Sequence, residues 1–138
     1  MKPFCEVVAL ELLPAVRAMV ARKLTGKYGI SQRRAAYLLG VSQPAISQYR
    51  KDLRGYKSKL FKNNPKLSGM VDAMAECMAS GDVDSPEATL SFCELCKEIR
   101  FSGAGCETHH NRYQSLASCS VCMDNKEFYG KHPPKARK

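Results

Sequence analysis

The stretch from Gln32 to Tyr49 has the spacing of small, apolar and glycine residues that two closely crossed helices require. Counted from Gln32, the fifth residue is Ala36, where the crossing leaves room only for a small side chain. The ninth residue is Gly40, which most easily adopts the left-handed backbone of a turn between helices. Apolar residues occupy the five inward-facing positions, which are Ala35, Leu39, Val41, Ile46 and Tyr49. The pattern predicts a helix-turn-helix.

Capping signals set the ends of the two helices in this motif. Ser31 offers a hydroxyl that can cap a helix over 32–39. A second helix is predicted over 43–53, and Pro44 is tolerated there because a residue of the first turn needs no amide donor. The side chains that this second helix turns outward are predicted to be Gln43, Pro44, Ser47, Gln48 and Lys51.

The stretch from Ser31 to Tyr49 closely resembles the lambda-repressor-like, Xre-type helix-turn-helix regulators, in which this unit binds duplex DNA. The resemblance extends more loosely over residues 4–60. The chain is also similar to a group of small archaeal regulators that join this module to a cysteine-rich tail. The resemblance implies a sequence-specific transcription regulator that binds double-stranded DNA and is not an enzyme. The residues alone leave open a pair of packed helices that has no role on DNA, or the same motif used for protein contacts.

Positive charge is concentrated in the same half of the chain. Residues 1–66 contain 14 Lys and Arg against 3 Asp and Glu, whereas residues 67–138 contain 8 against 10. Such a basic half is typical of a surface that meets a polyanion, although a solvated basic face is the alternative. The predicted phosphate contacts are Arg33, Arg34, Arg50 and Arg54, with the lysines at 57, 59 and 62.

Two further stretches, residues 4–27 and 54–69, give weaker indications of their secondary structure. Pro14 falls within an apolar stretch over 4–27, which predicts two helices that meet near Leu13. Residues 54–69 combine turn formers with lysines and predict a wing or a basic linker.

A single helix-turn-helix needs to form a dimer in order to read two half-sites. An apolar helix face is interpreted either as core or as the candidate subunit contact, and it is formed by Met70, Val71, Met74 and Met78.

Cysteines are concentrated in the second half of the chain, where two Cys-x-x-Cys pairs occur. Each pair lets two thiolates converge on one metal, and two pairs complete a four-sulfur shell. The predicted ligands are Cys93, Cys96, Cys119 and Cys122, with Cys106 as a possible substitute ligand. Cys5 and Cys77 are expected to lie outside this set. A disulfide framework is not favoured in a small cytoplasmic chain, because that compartment keeps thiols reduced.

The identity of the metal rests on ligand spacing and ligand number. Zinc ribbons separate their pairs by about 15–20 residues, whereas Cys96 and Cys119 have 22 residues between them. Cys106 adds a fifth thiol beside His109 and His110, which is more sulfur than one tetrahedral zinc uses. These features favour a [4Fe-4S] cluster that senses redox state or iron, and the alternative is a structural zinc site with four cysteine ligands. The histidines are expected to be surface residues or hydrogen-bond donors behind the ligands.

The prediction as a whole is a mainly α chain that has an N-terminal helix-turn-helix bundle and a small cysteine-rich metal-binding domain. The predicted units are a DNA-binding domain with basic linker over 1–66, a helical cysteine-rich and dimerising domain over 67–130, and a disordered basic tail over 131–138. A thiol oxidoreductase that uses Cys93 and Cys96 is a weaker alternative, because no strand pattern precedes the pair. No apolar run approaches the roughly 20 residues of a membrane span, and no signal peptide is read, so a cytoplasmic protein is expected.

Overall fold

The structure is a computed structural model that describes residues 3–51, 56–81 and 86–124, and all regular elements in these ranges are helical. The predicted mainly α fold class is therefore confirmed. None of the described helices combines the length and the apolar character needed to cross a bilayer. The elements in chain order are α1 (Phe4–Val7), a π-helical turn (Val8–Leu12), α2 (Leu13–Gly26), α3 (Gln32–Leu39), α4 (Gln43–Lys51), α5 (Tyr56–Lys62), α6 (Pro65–Ala79), α7 (Pro86–Phe101), α8 (Cys106–Arg112), a 3-10 turn (Gln114–Leu116) and α9 (Val121–Asp124).

The first three elements form one uninterrupted helical rod. Two helices were expected to meet near Leu13, and α2 does begin there, but the backbone of Leu12 and Leu13 remains right-handed helical and the chain does not turn. Pro14 lies in the first turn of α2, so its missing N–H takes one backbone hydrogen bond out of the continuous rod at this junction. The π turn, which hydrogen-bonds over five residues instead of four, accommodates the junction without a break.

Helix α2 is buried between the helices that follow it. It packs against α3 and α4 and also against α6. Val16, Val20 and Leu24 are almost completely buried, and Ala21 lets a neighbouring helix approach closely. An ion pair between Lys23 and Asp72 joins α2 to α6 at the surface.

The region predicted as a wing or basic linker over 54–69 is mostly helical where the structure describes it, and that prediction is wrong. Helix α5 places Phe61 in the core with no exposed surface. Helix α6 begins directly afterwards, because the Asn64 side-chain oxygen accepts a hydrogen bond from the Leu67 N–H at 3.2 Å. Two apolar residues among the lysines anchor this segment. They do not form a pattern of helical period, so the sequence did not predict a helix here.

The apolar face of α6 lies inside the molecule. Val71 and Met74 are buried, and Met70 and Met78 are half-buried against the same core. This face packs against α2 and α7 of the same chain. The prediction that it forms the subunit contact is therefore wrong.

The core is continuous across the composition boundary after residue 66, which falls inside α6. Leu95 and Ile99 from α7 belong to the same hydrophobic cluster as Phe4 and the residues of α2. Helix α7 begins at Pro86, a residue suited to the first turn of a helix, and ends at Phe101, shortly before Gly103 and Gly105. The segment after it contains α8, the 3-10 turn and α9. The predicted basic tail over 131–138 lies outside the described residues.

The N-terminal end of the rod is held by a close contact at Gly105. A Cβ atom on Gly105 would lie 2.6 Å from Cζ of Phe4 and 2.8 Å from Cγ2 of Ile99. The Phe4 ring also meets His109 edge-on, with 5.6 Å between ring centroids. Since Phe4 is almost completely buried, α1 is fixed against α8 and the end of α7.

We predict that Gly105→Ala lowers the free energy of unfolding by about 1–3 kcal/mol, the usual cost of overpacking. The backbone of Gly105 is right-handed, so alanine introduces a steric clash and no backbone strain. The matched control is Gly69→Ala in α6, where a Cβ atom has nothing within 4 Å. That substitution is expected to stabilise the helix by about 0.5–1 kcal/mol. Urea unfolding measures both, and equal effects would contradict the close packing at Gly105.

Candidate nucleic-acid interface and thiol cluster

Hydroxyl groups cap both helices of the predicted DNA-binding motif. The Ser31 hydroxyl accepts a hydrogen bond from the Arg34 N–H at 3.1 Å, which caps α3 as expected. The Ser42 hydroxyl accepts one from the Ala45 N–H at 3.3 Å at the start of α4. Each of the two helices therefore begins directly after a serine whose hydroxyl caps it.

The turn between α3 and α4 is built on Gly40, whose φ of +63° and ψ of +35° are left-handed. The Val41 N–H donates to the Ala36 carbonyl oxygen at 3.0 Å, which closes the turn. Ala35 and Ile46 have no exposed surface, and Ala36 is nearly as buried. Short side chains at this point let α3 and α4 pack closely, and both rest on α2.

The face of α4 opposite Ile46 is polar and open to solvent. At about 100° per residue, the predicted base-contacting residues and Arg50 fall on one continuous helix face. Ser47 is half-buried, and the other members are exposed; the complete set is Gln43, Pro44, Ser47, Gln48, Arg50 and Lys51. We name this set the α4 outer face. Arg54, also predicted to contact DNA, lies outside the described residues.

Arg22 holds the end of α4 and was not identified from the sequence. Its guanidinium donates from Nε to the Tyr49 carbonyl oxygen at 3.3 Å and from Nη2 to the Arg50 carbonyl oxygen at 3.0 Å. These carbonyls belong to the last turn of α4, where oxygens lack partners within the helix. Arg22 is one of three cations in α2, with Arg17 and Lys23, and the sequence does not indicate its partner 27 residues away.

Positive side chains accompany the α4 outer face without nearby acids in the motif. Arg33 and Arg34 are exposed at the start of α3, and neither α3 nor α4 contains Asp or Glu. The Arg34 guanidinium lies 5.2 Å from the centroid of the Tyr37 ring, which is 68% exposed. A flat cation resting on an exposed aromatic ring is pre-ordered for contact with a phosphate or a base.

The second candidate site is a group of thiols contributed by four parts of the chain. Helix α7 carries two of them at helical spacing, helix α8 begins with another, and α9 with the turn before it provides two more. The remaining thiol is that of Cys5, which was expected to lie outside this group. Helix α1 places it beside α7. We name the whole group the thiol cluster, and it consists of Cys5, Cys93, Cys96, Cys106, Cys119 and Cys122.

The thiols of this cluster influence one another through space. Burial raises the pKa of the Cys96 thiol, and the Arg100 guanidinium opposes the shift by lowering it. Negative charge on three neighbouring thiols raises the pKa further; these are Cys5, Cys93 and Cys122. Helix α7 and the segment around α9 thus bring their cysteines into one electrostatic environment.

Cys122 and Cys106 extend the cluster towards α8. Burial raises the pKa of the Cys122 thiol, Arg100 lowers it, and the thiols of Cys106, Cys119 and Cys5 raise it. Burial also raises the pKa of the Cys106 thiol, and Cys119 adds to that shift. Arg100 is the cation common to Cys96 and Cys122, so it favours negative charge at the centre of the cluster.

A cavity of about 420 Å³ opens between the rod and α7. The thiols of Cys5, Cys93 and Cys96 line it together with the cations Lys97 and Arg100. Apolar side chains from the π turn, the start of α2 and Phe92 form the rest of its wall. The cavity therefore combines thiols, two cations and an apolar wall.

The donors are not arranged around a single point. Among residues 3–51, 56–81 and 86–124, no three His, Cys, Asp or Glu side chains are placed to hold one metal ion. A zinc ion needs its four sulfurs about 2.3 Å from one centre. A [4Fe-4S] cluster binds each thiolate at a separate iron, so its ligands surround a volume. Three of the described cysteines line one cavity, but no set of them is placed as a metal site.

The two histidines differ in position. His109 is buried against Phe4 and Tyr113, so of the two positions expected for the histidines the surface one does not apply to it. His110 places Nε2 3.2 Å from the Cys119 carbonyl oxygen. A hydrogen bond there holds the backbone next to the Cys119 thiol.

Cys77, expected to lie outside the ligand set, is half-buried on α6 beside Met74 and Met78. Its thiol contributes to none of the pKa shifts within the thiol cluster. It therefore serves as an internal control for experiments on that cluster.

Comparisons of the chain with protein-family models, with curated proteins and with solved structures find no match. The assignment of the two candidate sites therefore depends on the residues of this chain alone.

We predict that alkylation of Cys96 in the metal-free, folded protein has its pH midpoint above that of the same residue in urea. The reason is that burial raises the pKa of the folded thiol, and only the thiolate reacts. A pKa raised in the folded state also means that stability is highest below the ordinary thiol range and falls as pH rises through it. Mass spectrometry of pulse-labelled protein measures the midpoints. A folded midpoint at or below the denatured one would contradict the burial of this thiol.

Proposed function

We propose that the protein is a cytoplasmic, sequence-specific DNA-binding transcription regulator that acts as a homodimer and is not an enzyme. Its α4 outer face reads bases in the major groove, and its cysteines hold an iron–sulfur cluster that senses redox state or iron. The observation that carries the proposal is the exposed polar face of α4, which is supported from behind by α2 and α3. A rigid helix that presents amides and cations outward is suited to the major groove.

Two kinds of residue divide the work on DNA in this proposal. Gln43 and Gln48 hydrogen-bond base edges, where glutamine pairs well with adenine. Arg33, Arg34 and Arg50 contact phosphates and supply the affinity that salt weakens. Arg22 acts on α4 from behind, because it holds the carbonyls of the last turn.

Dimerisation follows from the size of the recognition surface. Helix α4 spans nine residues and exposes a single face, and such a unit buries little surface on DNA. Two copies on half-sites about one helical turn apart give the affinity that a specific regulator needs. Since the apolar face of α6 is internal, the subunit contact is formed by another surface.

The cysteine site is joined to the DNA-binding helices through the rod. The thiols of α1 and α7 line one cavity, and α2 continues from α1 to the back of α3 and α4. When bound, an iron–sulfur cluster supplies a group whose assembly and survival depend on iron and oxygen. The chain's own residues bind that group through thiolates and transmit its presence by fixing α1 and α7. A structural zinc bound by the same thiols is the alternative.

We predict that Gln43→Ala and Gln48→Ala each weaken binding to a specific duplex by about 1–3 kcal/mol and leave binding to random duplex nearly unchanged. The specific duplex is selected in vitro from a random library with the wild-type protein. Gln114→Ala, an exposed glutamine in the 3-10 turn, is the matched control and should have no effect. Fluorescence anisotropy at fixed salt measures each affinity. Equal losses on specific and random duplex would contradict base reading by these side chains.

The sensing part of the proposal is tested with protein purified without oxygen. Iron, acid-labile sulfide and zinc are measured first, and a brown protein with iron and sulfide is expected. The selected duplex is then titrated with this holo form and with metal-stripped protein shown to be folded by circular dichroism. We expect affinities that differ by about tenfold or more, which corresponds to roughly 1.4 kcal/mol of coupling.

Two results would contradict this part of the proposal. A colourless protein with one bound zinc would favour the structural alternative. Equal affinities of the holo and stripped forms would exclude sensing by the cysteine site, while leaving the DNA-binding function intact.

A further inference from the structure

A second cavity, of about 240 Å³, lies between α2, α3, α6 and α7. It shares Leu13 and Phe92 with the cavity between the rod and α7, and none of its described lining residues is a cysteine. An apolar protein cavity of about 150 Å³ is large enough to bind benzene. The space between these four helices therefore suits a ligand with a single ring or a short hydrocarbon chain.

The walls of this cavity are formed by core side chains. Val16 and Val20 come from α2 and are almost completely buried. Leu38 and Leu39 come from α3 and are buried as well. Apart from Arg17, every described residue that lines the cavity is apolar. An unfilled apolar space loses dispersion contacts along its walls, and an apolar ligand restores them.

Arg17 lies within the apolar stripe of α2 that faces the cavity. Together with Leu13, Val16 and Val20 it occupies positions i, i+3, i+4 and i+7 of one helix face, and all four side chains line the cavity. Arg17 is half-buried. Its cation therefore borders an apolar space, where a charge without a counter-charge is unfavourable.

The other two cations of α2 have partners within the fold. Arg22 donates to two carbonyl oxygens at the end of α4, and Lys23 forms an ion pair with Asp72. Within residues 3–51, 56–81 and 86–124, no group forms an ion pair or a hydrogen bond with the Arg17 guanidinium. The planar fork of a guanidinium matches a carboxylate through two parallel hydrogen bonds. Arg17 thus supplies the charge complement for a carboxylate at the cavity wall.

We propose that this cavity binds a small carboxylate that has an apolar body. The carboxylate pairs with Arg17, and the apolar body fills the space between α2, α3, α6 and α7. Leu13, Ala88 and Phe92 are half-buried wall residues, so a ligand can reach the cavity from the side of α7. The inference depends neither on the cysteines nor on DNA binding.

The position of this site gives it a direct contact with the helix-turn-helix. Leu38 and Leu39 belong to α3, the first helix of that motif. Helix α2, which carries Arg17, supports both α3 and α4 from behind. An occupied cavity therefore adds contacts between the motif and the helices α6 and α7.

The test uses phenylacetate and phenylacetamide, which have the same shape and differ in charge. Isothermal titration calorimetry measures both affinities for the full chain. We expect saturable one-to-one binding of phenylacetate, at least about tenfold tighter than that of the amide. Arg17→Met keeps an unbranched apolar side chain and removes the charge, so it should lower the affinity for phenylacetate to that for the amide. Circular dichroism shows whether the variant is folded.

Lys27→Met is the matched control. It removes an exposed cation directly after α2 that does not line the cavity. Both affinities should keep their wild-type values in this variant. A loss of phenylacetate binding in Lys27→Met equal to that in Arg17→Met would contradict the proposal, because net charge alone would then explain the binding.

A second measurement uses the wild-type protein and needs no variant to fold. Methionine methyl groups are labelled with carbon-13 and followed by nuclear magnetic resonance during titration with phenylacetate. Met74 and Met78 line the cavity, whereas Met123 lies on α9 away from it. The methyl resonances of Met74 and Met78 should shift with the ligand, and that of Met123 should stay in place.

Three results would overturn the proposal. The first is the absence of saturable phenylacetate binding at millimolar concentration. The second is equal affinity for phenylacetate and phenylacetamide, which would mean that Arg17 directs its charge to solvent. The third is binding that leaves the methyl resonances of Met74 and Met78 unchanged, which would place the ligand elsewhere. None of these results bears on DNA binding or on the thiol cluster.

Discussion

Helix α2 packs against two sets of neighbouring helices at once, and the rest of the molecule is arranged around this packing. Its buried residues face α3 and α4 on one side and α6 on the other. A helix with only one apolar stripe supports a single layer of partners. Because α2 is apolar over a wider arc, the basic helices and the cysteine-bearing helices share one core. The two candidate sites are therefore opposite ends of a common support.

This shared core explains why the charge asymmetry of the sequence does not divide the structure. Lysines and arginines dominate the first 66 residues, but they occupy surfaces while the apolar residues between them join the cluster. Lys66 illustrates the point, because it forms an ion pair with Glu98 of α7 at 2.9 Å. The sign of the surface charge indicates which partner a face can bind, but it does not indicate where the hydrophobic core ends.

The parts of the fold that the sequence predicts are those set by short-range signals. Ser31, Gly40 and the apolar spacing around Ile46 locate α3 and α4, because caps, turns and helical periods are local properties. The start of α7 at Pro86 follows from the same kind of signal. The positions of Phe61, Arg22 and Cys5 could not be obtained in this way. Each depends on a partner far along the chain, and periodicity identifies a face without identifying what covers it.

The π turn at Val8–Leu12 has a geometric consequence for the N-terminus. A π turn is equivalent to an α-helix with one residue inserted, and each residue rotates a helix by about 100°. The side chains of α1 are therefore turned by roughly that angle relative to a continuous α-helix, and in this phase Phe4 reaches Gly105. Substitutions in the turn leave this phase unchanged. Insertion or deletion of one residue there resets it, so the length of this segment, more than its composition, decides what the first two side chains of α1 face.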